Sequence, residues 1–286
     1  MKIIETIAEM RQFVREQRGA GKTIGFVPTM GALHQGHQEL FHKAGERCDI
    51  VVASIFVNPM QFGVNEDLAA YPRDSEGDAR KAAAVGVAAL FLPRVEEMYP
   101  TGYATQVDVL GITDLLCGKS RPGHFRGVAT VVTKLFNIVQ PDVAFFGQKD
   151  AQQVLVLKRM AADLNMALEI EVVPIVREAD GLALSSRNAY LNAKERQAAL
   201  SLSRSLALAK QEFAAGRRSV QELKQLILEE LSKETLAVID YVEVYSYPDL
   251  AKTETVAGQA IVALAVRFGA TRLIDNLILG GTEGCY

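Results

Sequence analysis

Along the first two thirds of this 286-residue chain, short continuous apolar runs alternate with segments of helical pattern, and that alternation admits few folds. Ile24-Gly25-Phe26-Val27 and the run from Ile50 to Val57 read as strands too uniformly apolar for a half-exposed edge. Gln38 to Arg47, between them, has helical composition. A further helix is expected from Ser75, whose hydroxyl can cap free amides of the first turn, to about Val85. Ala88 to Leu92 reads as the next strand, stopped by Pro93. Val128, Val131, Val132, Leu135, Phe136 and Val139 then fall at helical spacing in a helix ended by Pro141. Val143 to Phe146 is a strand, Asp150 can cap a helix reaching about Asp163, and Ile170 to Val176 is a strand again. Parallel strands need such crossover helices, so the class is α/β, a Rossmann-like doubly wound parallel sheet whose ligands collect at the carboxyl ends of its strands.

After Asp180-Gly181 the pattern changes to two long charge-rich helical stretches, Ala193 to Ala215 and Val220 to Lys233. Three strand-like runs follow, Val238 to Tyr245, Ala260 to Phe268 and Arg272 to Leu279. Helices and then consecutive strands predict a second, smaller α+β domain. The expected division is residues 1–180 for the doubly wound domain and 181–286 for the smaller one, and the chain length agrees with two domains.

Composition narrows the partners. With 31 Lys plus Arg against 34 Asp plus Glu, the formal charge of −3 gives no general attraction to a polyanion, so no nucleic-acid partner is expected. Cys48, Cys117 and Cys285 are scattered without a C-x-x-C pair, which suits a reducing, cytoplasmic setting. Met1 to Thr6 meets an acid at once and builds no signal-peptide core. The most apolar stretch, Ala82 to Leu92, is too short for a membrane span, so no membrane partner is expected.

Four loops carry the chemistry. Pro28-Thr29-Met30-Gly31-Ala32-Leu33-His34-Gln35-Gly36-His37 follows the first strand. Its glycines let the backbone come close to a ligand, the next helix offers unpaired amides, and two imidazoles three residues apart can share one face. That combination suits a nucleotide triphosphate attacked at its α-phosphorus. A zinc pair is the rival, but it lacks a third ligand and the glutamate of H-E-x-x-H. A plain turn is the other. Phe56-Val57-Asn58-Pro59-Met60-Gln61-Phe62-Gly63 follows the second strand, and the Gln61 amide can both donate to and accept from a small hydroxy acid, or else sit as a solvated turn residue. In Gly147-Gln148-Lys149-Asp150-Ala151-Gln152-Gln153, Lys149 offers a cation to phosphate and Gln153 returns to the face of Asp150. Leu184-Ser185-Ser186-Arg187 sets two hydroxyls and a guanidinium in succession, again suited to phosphate, or to a capped helix with a surface arginine.

Six runs together resemble the pantoate–β-alanine ligase family of the class I nucleotidyltransferase superfamily. They are P-T-M-G-A-L-H-Q-G-H at 28–37, F-V-N-P-M-Q-F at 56–62, E-D-L-A-A-Y-P-R at 66–73, G-H-F-R-G-V at 123–128, F-G-Q-K-D-A-Q-Q at 146–153 and S-S-R-N-A-Y-L at 185–191. H-x-G-H belongs to the whole superfamily, whereas its combination with F-V-N-P-M-Q-F and K-D-x-Q-Q is far more specific. The resemblance implies that pantoate is first adenylated by ATP, releasing diphosphate. The β-alanine amine then displaces AMP to give pantothenate. It implies Mg2+ held mainly by the phosphates, with no protein ligand assigned, and a homodimer.

Residue by residue, it implies an ATP loop of Met30, Gly31, Ala32, Leu33, His34, Gln35, Gly36 and His37, with His34 and His37 at the phosphates and His37 catalytic. Gln61 and Gln153 hold pantoate, and Gln61 also lies near β-alanine. Gly147, Gln148, Lys149 and Asp150 contact the nucleotide, Val176 offers backbone near adenine, and Leu184, Ser185, Ser186 and Arg187 close over the phosphates. The second domain is expected to act as a lid. Leu184 stands where many relatives carry Met, and Val64 where they carry Pro, which bears on loop stiffness more than on chemistry. A cytidylyltransferase, another adenylylating enzyme and a nucleotide-binding regulator without turnover remain alternatives. A tRNA synthetase is disfavoured by the short chain and its charge.

Overall fold

The computed structural model describes residues 1–64 and 66–281, in two compact units. The first comprises Met1–Gln148 and Gln152–Pro174, and the second comprises Lys149–Ala151 and the chain from Ile175.

The first unit runs β1 (Lys2–Ile4), α1 (Ile7–Gly19), β2 (Ile24–Thr29), α2 (Gln35–Arg47), β3 (Ile50–Ile55), α3 (Ser75–Ala84) and β4 (Ala89–Phe91). It continues through α4 (Val95–Met98), α5 (Leu116–Ser120), α6 (His124–Val139), β5 (Val143–Gly147), α7 (Ala151–Asp163) and β6 (Glu169–Val173), although Ala151 itself groups with the second unit. The strands form one six-stranded parallel sheet in the order β1-β4-β3-β2-β5-β6, with Ile24 to Thr29 in register against Ile50 to Ile55. After β1, which ends up at the sheet edge beside β4, the chain enters β2, steps outward to β3 and β4, then returns across β2 to β5 and β6. The order therefore reverses between β2 and β5, which opens a crevice at their carboxyl ends.

This is the expected doubly wound sheet, with local differences that have local causes. β2 extends past Val27 to Thr29 although Pro28 has no N–H to give. α2 begins at Gln35 rather than Gln38 because His34 caps it. α3 does begin at Ser75, but the cap is the Asp74 carboxylate, which accepts from the Gly77 N–H at 2.9 Å, and not the Ser75 hydroxyl. β1 and α1 have no counterpart among the expected elements. β1 is too short to show a period, while α1 buries Met10, Phe13 and Val14 on one stripe behind a Thr6 cap and was legible by spacing. On one sheet face, Leu40, Phe41 and Ala44 of α2 and Ala82 of α3 pack over Val27, Ala53, Leu90 and Phe145.

In the second unit the helix expected over 193–215 is two, α8 (Ala193–Ala199) and α9 (Ser201–Ala214), stepping at Leu200. α10 (Val220–Ser232) follows, then a three-stranded antiparallel sheet of β7 (Ala237–Ser246), β8 (Ala260–Phe268) and β9 (Thr271–Leu279) with β8 central. Leu202, Leu206, Leu223 and Ile227 pack with Val262, Leu264 and Val266 as the core of this unit. The division falls before the expected residue 180 because Arg177 is bridged to Ala183 and ion-paired to Asp275 of β9. No described helix is long and apolar enough to cross a membrane.

Candidate active site

Three of the four predicted loops follow β3, β2 and β5, which are adjacent strands, so the sheet delivers them side by side at the β2/β5 switch point. The loop after β2 turns through consecutive left-handed residues, Gly31 at φ 88° and Ala32 at φ 51°. An alanine there costs on the order of 1 kcal/mol, so the turn must be held from outside. Asp78 of α3 holds it. Its side chain is 1% exposed, and its two carboxylate oxygens accept from the N–H groups of Ala32 and Leu33, each at 2.7 Å. One turn later Lys81 donates to the Leu33 carbonyl at 2.8 Å. A Cβ at Gly31 would lie 3.1 Å from Asp78 Oδ2 and 3.0 Å from Ile55 Cγ2, so the approach is already tight.

The two imidazoles form a capping box at the start of α2. His34 Nδ1 accepts from Gly36 N–H at 3.1 Å, His37 Nδ1 accepts from His34 N–H at 3.2 Å, and the ring centroids stand 4.1 Å apart. A main-chain N–H can only donate, so Nδ1 is the acceptor on both rings and the proton sits on Nε2. Among the described residues, no group of three or more His, Cys, Asp or Glu side chains is placed to hold a metal ion.

Gln61 is not a solvated turn residue. It is 8% exposed, at the end of a 3-10 turn (Pro59–Gln61) that Asn58 caps. The Asn58 amide, 1% exposed, donates to Gln61 Oε1 and to the Gly127 carbonyl, both at 3.1 Å, while Tyr99 OH donates to its Oδ1 at 2.8 Å. Gln61 Nε2 reaches Met30 Sδ at 3.0 Å, so the β2 and β3 loops touch. From α6, His124 Nδ1 donates to the Gln61 carbonyl at 2.8 Å. Arg121 grips both oxygens of Glu66, each at 2.6 Å. Burial alone would raise the Glu66 carboxyl, but Arg121 outweighs it and holds the group below the ordinary glutamate range.

Gly127 lets α6 come this close. A Cβ there would lie 2.3 Å from the Met60 carbonyl oxygen and 2.7 Å from Gln61 Cα. Gly127→Ala should therefore cost about 1–3 kcal/mol of stability in denaturant titration, and an unchanged midpoint would contradict the packing.

The third loop is a 3-10 turn, Gln148–Asp150, that runs directly into α7, so Asp150 both closes that turn and immediately precedes the helix. Lys149 Nζ lies 3.6 Å from Asp150 Oδ2. The glutamine doublet divides its labour. Buried Gln152 accepts from Cys117 N–H at 2.9 Å and donates to the Ile112 and Leu115 carbonyls, each at 2.8 Å, fixing the 112–117 segment, while Gln153 is half-buried. Within the first unit a cavity of about 360 Å³ lies against Met30, Gly31, Phe56, Arg73, Asp74 and Asp78. Neither Gln61 nor Gln153 lines it.

In the second unit Leu184 N–H donates to the Val176 carbonyl at 3.0 Å, so two residues predicted from separate segments are neighbours across one turn. Ser185 Oγ accepts from Arg187 N–H at 3.3 Å and caps the 3-10 turn Ser186–Tyr190. Consecutive β9 residues support this region, Asp275 through its bidentate pair with Arg177 at 2.7 and 2.9 Å, and Asn276 through Nδ2 to the Lys149 carbonyl at 3.0 Å. Asn58, Asp78, Gly127, Asp275 and Asn276 have no place among the sequence-predicted site residues. Asn58 and Gly127 carried a sequence signal, since they lie in the 56–62 and 123–128 runs.

Residues 2–278 match the model of the family described as pantoate-beta-alanine ligase. A pantothenate synthetase of Pelotomaculum thermopropionicum is 65% identical over 280 residues, covering 98% of this chain and 99% of that protein. The solved pantothenate synthetase of Thermus thermophilus superposes with a TM-score of 0.93 at 45% identity, covering 97% of this chain and 99% of that one. A pantoate-beta-alanine ligase of Francisella tularensis, solved in complex with beta-gamma ATP and beta-alanine, gives a TM-score of 0.81 at 34% identity, covering 99% and 100%. With the H-x-G-H capping box at the switch point and the match running nearly end to end, this chain belongs to the pantoate–β-alanine ligase family.

Proposed function

We propose that the chain condenses pantoate with β-alanine at the expense of ATP, using the loops at the β2/β5 switch point. The reaction must begin by activating a carboxylate, which is a poor acylating agent. A pantoate oxygen attacks the α-phosphorus, diphosphate leaves, and the resulting acyl phosphate anhydride is then opened by the β-alanine amine with release of AMP. The observation that carries this reading is the capping box. It sets two Nε2–H donors at the positive dipole end of α2, an arrangement suited to charge developing at phosphorus.

On this reading Met30 to His37 holds the triphosphate, with His34 and His37 donating to it and His37 serving the transition state. Gln61 presents its side-chain amide to pantoate and lies near β-alanine, and Gln153 completes the pantoate grip. Gly147, Gln148, Lys149 and Asp150 contact the nucleotide, Val176 offers backbone to adenine, and Leu184 to Arg187 take the phosphate chain. The fixed Asn58 side chain supports the Gln61 assignment, because a buried amide held by an immobile partner loses little freedom on binding. Magnesium enters with ATP as part of the substrate, carried on phosphate oxygens, and no step is assigned to it. The reading also includes a homodimer in the cytoplasm, and the dimer is checked by molar mass in solution.

Labelled diphosphate should exchange into ATP only when pantoate is present, and AMP and pantothenate should form only on adding β-alanine. Turnover of CTP with a phosphorylated alcohol would establish the cytidylyltransferase instead. ATP binding without exchange for any acid would leave a regulator.

A further inference from the structure

We propose that Asp78, assisted by Lys81, is a positioning residue for the adenylation step, acting on His34 and His37 through the backbone of the loop between them and β2. The inference rests on the reading that those imidazoles donate to the triphosphate. Asp78 lies on α3, and the hydrogen bonds to Ala32 and Leu33 span 46 and 45 residues of sequence. Its carboxylate is removed from water and commits one oxygen to each of two adjacent peptide N–H groups. A buried carboxylate is expensive, and an apolar residue would fill the same space at lower cost if packing were the only need.

What the carboxylate supplies is a fixed position for a turn that would otherwise relax, since Ala32 at φ 51° is disfavoured by its own Cβ. Lys81 takes the carbonyl of Leu33, so α3 holds both polar groups of that residue. The next N–H along the chain is that of His34, the donor that orients His37 Nδ1. A shift at Leu33 therefore passes directly to the His34 main chain and on to the His37 ring. Displacements well under 1 Å in a donor aimed at a transition state are enough to cost rate.

Asp78→Asn keeps one acceptor oxygen and turns an NH2 toward a main-chain N–H. It should lower the rate of pantoate-dependent diphosphate exchange about 10- to 100-fold, with KM for ATP and pantoate changing by less than about 3-fold. Lys81→Met, which keeps the aliphatic stem, should lower it about 3-fold and stay folded. The deciding measurement is non-additivity. If Asp78 acts through the histidines, Asp78→Asn placed on His37→Ala should cost little beyond His37→Ala alone. Losses that multiply, or an Asp78→Asn enzyme with wild-type turnover beside an inactive His37→Ala, would overturn the proposal. Should Asp78→Asn fail to fold, Lys81→Met in the same cycle decides, with additive losses again overturning it. Wild-type exchange by His37→Ala would instead defeat the reading of the histidines, so the two failures are distinguishable.

Discussion

His37→Ala should leave the protein folded and lower pantoate-dependent diphosphate exchange about 100- to 1,000-fold, the scale of losing one donor to a transition-state oxyanion. The side chain has two separable duties. Nδ1 closes the capping box on His34 N–H, which is worth roughly 1 kcal/mol of stability, and Nε2–H faces the chemistry on the reading proposed here. Two substitutions part them. Asn places its carbonyl oxygen near the Nδ1 position and should recover stability without rate. Gln places an amide N–H near the Nε2 position and should recover part of the rate with a weaker cap. Wild-type exchange in His37→Ala would remove the residue from the mechanism. Equal recovery of rate by Asn and Gln would show that only the cap matters.

Arg177→Met should destabilise the second unit by about 3 kcal/mol, toward the lower end of the range for breaking a buried pair because Arg177 is itself a third exposed. Asp275 is 2% exposed and would be left with the Asn276 N–H but without its bidentate partner. Much of the loss should return in Arg177→Met/Asp275→Leu, which removes the stranded charge. Denaturant titration followed at each unit would read the effect. The hairpin from Val176 to Leu184 hangs on Arg177, which also donates to the Gly181 carbonyl at 3.1 Å, so activity should fall along with stability. A variant as stable as the parent would show that the pair carries no net energy.

Most of the fold was legible because its signals are local. Continuous apolar runs marked β2, β3, β5 and β8, and the stripe from Val128 to Val139 marked α6. The strand expected to Val57 stops at Ile55, because Asn58 must turn the chain into its own cap. The helix expected over 193–215 divides at Leu200, a step that periodicity passes over because both halves bury the same face. Of the site, the motif loops could be named and three of them put at strand ends of one sheet, since strand ends and glycines are written in the chain. Their supports could not. Asp74, Glu76 and Asp78 look alike in sequence, and nothing local separates the helix cap from the exposed acid or from the buried clamp.

The sequence by itself determined the α/β class, the motif loops and the family, because hydrophobic period, turn residues and motif spacing act over a few residues. Only the tertiary structure decided that the H-x-G-H imidazoles close a capping box through Nδ1, that Gln61 is buried under Asn58 and that Asp78 holds the loop. Apart from the capping box, whose geometry needs the folded helix end, these depend on partners dozens of residues apart. A polar group's partner is set by where the packed elements place it, and a chain read residue by residue does not contain that distance.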